Sequence, residues 1–258
     1  MKNYYKITKI FFMSFILINL LLSNLFAAGP DANITKMKFS FDGIFGVIDK
    51  ASARRGLQIY NEICSGCHSL EHVSYRNLID IGFSKEQVKT FASQFEVMAE
   101  PDSEGEINMR PAIPSDRFIN PYQNVNQAKA MNNGVIPPDL SLIIKARAGG
   151  ASYFYSLLKG YEDAPEGEEL SNGYYNVAYP GYIIAMPQPL YGEDVEYMDG
   201  TKATMEQEII DLVSFLTWTG QPELNERKSM GFRVFLFLVF MTSVLFLSYR
   251  KIWKKIKG

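Results

Sequence analysis

The chain has 258 residues, of which 47% are hydrophobic, enough to bury one globular core with room for targeting and membrane segments, and not enough to suggest two domains. Its net charge of -2 hides an uneven distribution: all 28 Asp and Glu, but only 15 of the 26 Lys and Arg, lie between Gly29 and Glu226, leaving that body at -13. Such a body excludes nucleic acid as a partner and suits a basic protein, and two cysteines confined to one pentapeptide exclude a disulfide scaffold.

Lys2, Lys6 and Lys9 precede an apolar run from Ile10 to Leu22 and small residues at Ala27, Ala28 and Gly29. That order predicts a secretory signal peptide over 1–28, cleaved after Ala27 or Ala28, with an uncleaved anchor as the alternative because Ser14, Asn19 and Ser23 interrupt the apolar run, and a body exported over 29–226. In the body, Leu57, Tyr60 and Ile63 recur at helical spacing, so a helix over 50–63 runs into the cysteines, with Gly56 allowing another backbone to approach. A second helix starts at Ser84, where Ser84 and Gln87 have capping-box spacing and Val88, Phe91 and Phe95 share a face.

The stretch 100–122 holds Pro101, Gly105, Pro111, Pro114 and Pro121 and reads as a long irregular connection. Short helices are predicted over 128–131, 138–146 and 151–159, broken by Gly134 and the Gly149-Gly150 pair. A Gly-, Pro- and Tyr-rich stretch then runs from 160 to 200. The last helix of the body has Thr204 and Gln207 at capping-box spacing, a stripe of Ile209, Leu212, Val213 and Leu216, and a stop at Gly220 before Pro222. The run from Met230 to Tyr249 is long enough to cross a bilayer. Arg250, Lys251, Lys254, Lys255 and Lys257 follow it, which puts the 250–258 tail in the cytoplasm and the body in the periplasm of an inner membrane.

Cys64-Ser65-Gly66-Cys67-His68 is the attachment signature of a c-type haem: two thiols spaced for thioether bonds to two vinyl groups, and a histidine placed to ligate the iron. A thioredoxin-like pair or a zinc site would share C-x-x-C, but the chain has no further cysteine. The only other histidine, His72, would lie on the proximal side if residues 68–72 were helical. Methionine is the remaining strong side-chain ligand. Of eleven methionines, Met109 and Met186 stand out because each lies in a Pro-rich loop, and Met186 is favoured because it precedes the last helix of the body.

An ordered set of motifs accompanies the pentapeptide: Tyr75-Arg76-Asn77-Leu78, Met109-Arg110-Pro111, Asn132-Asn133-Gly134, Pro137-Pro138-Asp139-Leu140-Ser141, Ala146-Arg147, Gly149-Gly150, Tyr153, Gly160-Tyr161 and Asp199-Gly200-Thr201. From about Phe39 to the end the chain resembles the cytochrome c1 family, the haem subunits of quinol:cytochrome c oxidoreductase (bc1) complexes. The resemblance implies a mainly α, cytochrome c-like haem domain with long loops and one C-terminal transmembrane helix. It implies one covalent haem c, His68 and Met186 as iron ligands, Arg147 and Tyr153 near the propionates, and Pro138 against the proximal histidine. Gln188 departs from the proline the family commonly has there.

The implied activity is one-electron transfer from the Rieske iron-sulfur protein to cytochrome c, beside cytochrome b, with no bond-making catalysis by this chain alone. A membrane-tethered cytochrome c that serves a terminal oxidase independently is the alternative, and a haem-based gas sensor a more distant one. Two acidic groups, Glu162, Asp163, Glu166, Glu168 and Glu169, and Glu96, Glu100, Asp102, Glu104 and Glu106, are candidate docking surfaces for a basic cytochrome c.

Overall fold

The computed structural model describes residues 33–257 other than 102, 168, 169, 171 and 172. The signal segment expected over 1–28, and parts of both acidic groups, lie outside the described residues. In chain order the helices are α1 (Lys50–Ile59), α2 (Lys85–Ala92), α3 (Val125–Met131), α4 (Ile143–Ala146), α5 (Gly150–Lys159), α6 (Met205–Gly220) and α7 (Leu224–Lys257). A π-helical turn, Tyr60–Cys64, continues α1, and a 3₁₀ segment covers Tyr75–Ile81. Two antiparallel pairs complete the set, β1 (Glu96–Met98) with β2 (Met109–Pro111) and β3 (Tyr174–Tyr175) with β4 (Ile183–Ile184). The fold is thus mainly α with long loops, as the patterning and the resemblance imply.

The core is the crossing of α1 and α6, with α4 and α5 also packed on α6. The Asp49 side chain caps α1 by accepting from Ala51 N–H, 3.0 Å, and Ser52, Ala53, Gly56, Leu57 and Ile59 are its buried positions. At Gly56 a Cβ would stand 2.1 Å from the carbonyl oxygen of Asp211 and 2.6 Å from Phe215 Cβ, so only glycine lets the two helices meet this closely. Rings carry the packing outward from α6: Phe215 lies 5.8 Å from Tyr60, Tyr60 lies 6.0 Å from Phe118, and Phe118 lies 4.6 Å from Tyr75.

α6 is buried almost all round, including Glu208 and Asp211. Asp211 is held by Ser52 Oγ (2.6 Å) and by Arg55 through Nε (2.8 Å) and Nη2 (3.0 Å), and a third Arg55 nitrogen reaches Asp199 at 2.9 Å. This fork ties α1, α6 and the loop before α6 together. Thr204 caps α6 by accepting from Gln207 N–H, but the Gln207 side chain turns away to Asp211 at 3.1 Å, so the capping box expected there forms only in half. At α2 the box is complete.

Two further expectations are corrected. The helix expected over 138–146 shortens to α4, because the Asp139 side chain is drawn into bonds with Ser69, Glu71 and Ser141, which hold this stretch outside helical backbone. Residues 68–72 are not helical, so the argument from helical spacing that put His72 on the proximal side lapses. His72 is exposed, and its N–H donates to Ser141 Oγ at 3.1 Å.

α7 follows α6 after only Gln221, Pro222 and Glu223. Its 34 residues make a rod of about 50 Å at 1.5 Å per residue, longer than a bilayer core. The span is long and apolar enough to cross a membrane, and none of its apolar window is buried by the rest of the chain.

Candidate functional site

The π turn sets up the pentapeptide. One extra residue in the turn widens the end of α1, with Ser65 N–H returning to Tyr60 O at 2.8 Å, and such bulges mark functional sites more often than plain helix does. Cys67 and His68 then donate their N–H groups to Cys64 O, at 3.1 and 2.9 Å, which curls the two cysteines onto one turn. Both thiols are free; Cys64 is partly covered and packs on the core, and Cys67 is exposed. Burial, helped by the nearby Cys67, pushes the Cys64 thiol up to about 12.

His68 is aimed by its backbone and by its ring. Tyr60 Oη donates to His68 O at 2.9 Å, and His68 Nδ1 pairs with the carbonyl of Pro138 at 2.8 Å. A carbonyl can only accept, so Nδ1 carries the proton and Nε2 keeps its lone pair. Burial lowers the imidazole's proton affinity, while the Pro138 carbonyl and the Asp139 charge act the other way.

Asp139 is the residue that locks this pairing, and the sequence reading assigned it no role. It accepts from Ser69 Oγ at 2.8 Å, Glu71 N–H at 2.7 Å and Ser141 N–H at 2.9 Å, while Leu140 N–H donates to Ser69 O at 2.9 Å. Burial disfavours its charge, but the bonds from Glu71, Ser141 and Ser69 outweigh it and hold the carboxyl below its ordinary value. Its only sequence signal is an Asp two residues before a Ser, the spacing of a local turn.

Met186 follows β4 on a loop between Pro187 and the tight Asn176–Tyr182 turn. It is half-buried and packs both on the main core and on a smaller cluster of Tyr153, Leu157 and Ile184. Tyr161 Oη donates to Met186 O at 3.1 Å, and Gln188 Nε2 donates to Leu190 O at 2.8 Å, so the glutamine that stands where proline was expected still ties the loop to a fully buried residue. Met109, the rival candidate, lies in β2 and is 56% exposed. Tyr153 thus shares a cluster with Met186. Arg147 is exposed at the end of α4, close enough to Tyr153 that its charge opposes the rise that burial causes in the phenol.

Two free thiols on one turn, an imidazole with one nitrogen fixed, and a thioether from a separate packed loop are a donor set that fits a c-type haem. Among the described residues no three His, Cys, Asp or Glu side chains converge as a metal cluster, so the C-x-x-C pair gains no further zinc ligands there.

The profile of the cytochrome c1 family matches residues 39–256. Cytochrome c1 of Rhodospirillum rubrum is 40% identical over 242 residues, covering 87% of this chain and 89% of that protein. A mitochondrial cytochrome c1 haem protein of Arabidopsis thaliana is 45% identical over 219 residues, 84% of this chain and 71% of the relative. A Bradyrhizobium diazoefficiens protein named cytochrome b/c1 is 38% identical over 239 residues, 84% of this chain but 35% of the relative. With the pentapeptide, the packed methionine loop and a match that runs through the body into the apolar helix, the chain belongs to the cytochrome c1 family.

Proposed function

We propose that this chain is the membrane-anchored haem subunit of a quinol-oxidising bc1 complex, passing single electrons from the Rieske iron-sulfur protein to a cytochrome c. The observation that carries the reading is the His68 Nδ1 to Pro138 O bond of 2.8 Å beside two free thiols. A haem held at this site supplies a one-electron Fe(III)/Fe(II) couple. Cys64 and Cys67 would hold the group covalently, and His68 would offer it Nε2, because Pro138 keeps the other nitrogen protonated. Met186 would offer its thioether, a donor that favours reduced iron and would help keep small ligands out. Arg147 offers a fork of donors to a propionate, and Tyr153 packs beneath the Met186 loop.

The 1–28 segment serves as an export signal, the 29–226 body lies in the periplasm, 230–249 crosses the inner membrane, and the basic 250–258 tail stays in the cytoplasm. The Bradyrhizobium relative joins the two names b and c1, which supports cytochrome b as a neighbour. The short joint of Gln221, Pro222 and Glu223 between α6 and α7 favours a mounted subunit over the alternative of a tethered shuttle to a terminal oxidase, which needs a flexible linker.

Purification in mild detergent tests the proposal. Cytochrome b, an iron-sulfur protein and quinol:cytochrome c reductase activity should elute with this chain. Elution alone, or with an oxidase only, would replace the proposal with the shuttle.

A further inference from the structure

The loop before α1 exposes a run of apolar side chains. Ile44 is 76% exposed, Phe45 75% and Val47 51%, and the only ionisable side chain from Ser40 to Ile48 is Asp42, whose carboxylate accepts from Phe39 N–H at 2.8 Å. The base of the loop is firm: Val47 N–H donates to Ser40 O at 3.0 Å, and Phe39 and Phe41 stack in the core with centroids 5.0 Å apart. Its tip is offered to the surroundings by a structured base.

The tip also sits against α7. Asn225 brackets Ile48, accepting from its N–H at 2.8 Å and donating to its carbonyl at 3.2 Å. Lys228 donates to the carbonyls of Phe41, Gly43 and Gly46 at 2.5, 2.7 and 3.0 Å. The Phe45 ring meets Phe232 edge to face at 5.5 Å. Asn225, Lys228 and Phe232 are spaced i, i+3, i+7, one stripe of a helix. The loop is therefore fastened along the first two turns of the helix, and its aromatic tip is level with Phe232, where the apolar span begins.

We propose that residues 43–47 form a lipid-binding wedge, with Ile44, Phe45 and Val47 seated at the headgroup–acyl boundary of the leaflet on the haem-domain side. The occupant is argued from continuity: the loop adjoins, through Phe232, a helix long and apolar enough to cross the bilayer, and aromatic and aliphatic side chains beside cations are what that boundary accommodates. Lys228 fits the location, because an ammonium has three donors and all three are taken by carbonyls, so the cation needs no water where water thins out. Arg233, one residue past Phe232, is left exposed at the same level for lipid phosphates.

The inference rests on α7 crossing the membrane, and the test separates the two. Full-length protein lacking the distal indole (Trp253→Phe) is reconstituted in phosphatidylcholine–phosphatidylglycerol vesicles with lipids brominated either high or deep on the acyl chain. Phe45→Trp is compared with Phe240→Trp at mid-span, Trp218 being buried and common to both. The proposal expects blue-shifted emission from the Phe45→Trp indole, quenched more by shallow than by deep bromines, and the reverse order for Phe240→Trp. If only Phe240→Trp is quenched, the span stands and the wedge is wrong. If neither is quenched, both fail. A blue-shifted Phe45→Trp indole that bromolipid cannot quench in the native assembly gives the surface to a protein neighbour and overturns the lipid assignment.

Discussion

The crossing of α1 and α6 makes Gly56→Ala a demanding test of how the site is held. The new methyl would lie 2.1 Å from Asp211 O, against 3.4 Å for ordinary contact, so the helices must part by roughly 1 Å or more in a close-packed core. The obstructing atoms, Asp211 O, Asp211 C and Phe215 Cβ, belong to or adjoin helix backbone that cannot swing aside. Overpacking of this kind costs about 1–3 kcal/mol, and a rigid obstruction belongs at the upper end. Replacing glycine in a helix returns about 1 kcal/mol, leaving a net loss of about 2 kcal/mol. For a body of this size that lowers Tm by roughly 4–8 °C.

The control for Gly56→Ala is Gly66→Ala, inside the pentapeptide, where a Cβ meets nothing within 4 Å and Tm should hold. Thermal unfolding of the two purified variants, followed by circular dichroism at one protein and detergent concentration, makes the comparison. If Gly56→Ala matches or exceeds wild type, the helices do not meet as described and the account of how Cys64 is positioned goes with them.

Three further outcomes are expected. Burial pushes the Glu208 carboxyl to about 7 from an ordinary 4.5, with the Asp194 charge adding to the rise and the Asp194 N–H bond opposing it; its contribution to stability is complete below pH 4.5 and lost as pH climbs through 7. The loss amounts to about 3 kcal/mol, so denaturant titrations at pH 4 and pH 8 should differ by that much more in wild type than in Glu208→Gln, and equal differences would reject the buried protonated carboxyl. Asp211→Asn strips Arg55 of its buried counter-charge and should cost about 3–5 kcal/mol in urea unfolding, with less than additive loss on adding Arg55→Met; independent effects would mean the fork does not form. Met186→Leu should retain covalent haem on a denaturing gel but lower the reduction potential sharply, whereas Met109→Leu should leave the potential where it was; the opposite pattern transfers ligation to Met109.

Local patterns were readable where local forces decide. The helix into Cys64, the complete cap at Ser84, the stop at Gly220 and the close approach at Gly56 depend on neighbours in sequence or on glycine's missing side chain. The Asp139 network was not legible, because its partners Ser69 and Glu71 lie about seventy residues away, and only the fold brings them to Pro138. The 3₁₀ segment Tyr75–Ile81 was missed because its box uses Asn77, a weaker helix signal than Glu or Gln. α6 was read as a helix with a single apolar stripe, yet α1, α4 and α5 enclose it, so Glu208 and Asp211, polar residues that a stripe would leave in water, are buried. For the site itself, the pentapeptide named Cys64, Cys67 and His68 outright. Met186 was favoured over Met109 from its place before the last helix, and packing adds a second distinction, a half-buried thioether against one on an exposed strand.

The joint between α6 and α7 bears on traffic. Three residues reach about 10 Å at full stretch, and here they are coiled, with Leu224 N–H donating to Gln221 O at 3.0 Å and Arg227 reaching back to Gln221 at 2.8 Å. In the proposed complex a carrier so mounted would not commute between a donor and an acceptor. Both would have to travel to it and leave again, and every visitor would meet the same face at the same height above the membrane.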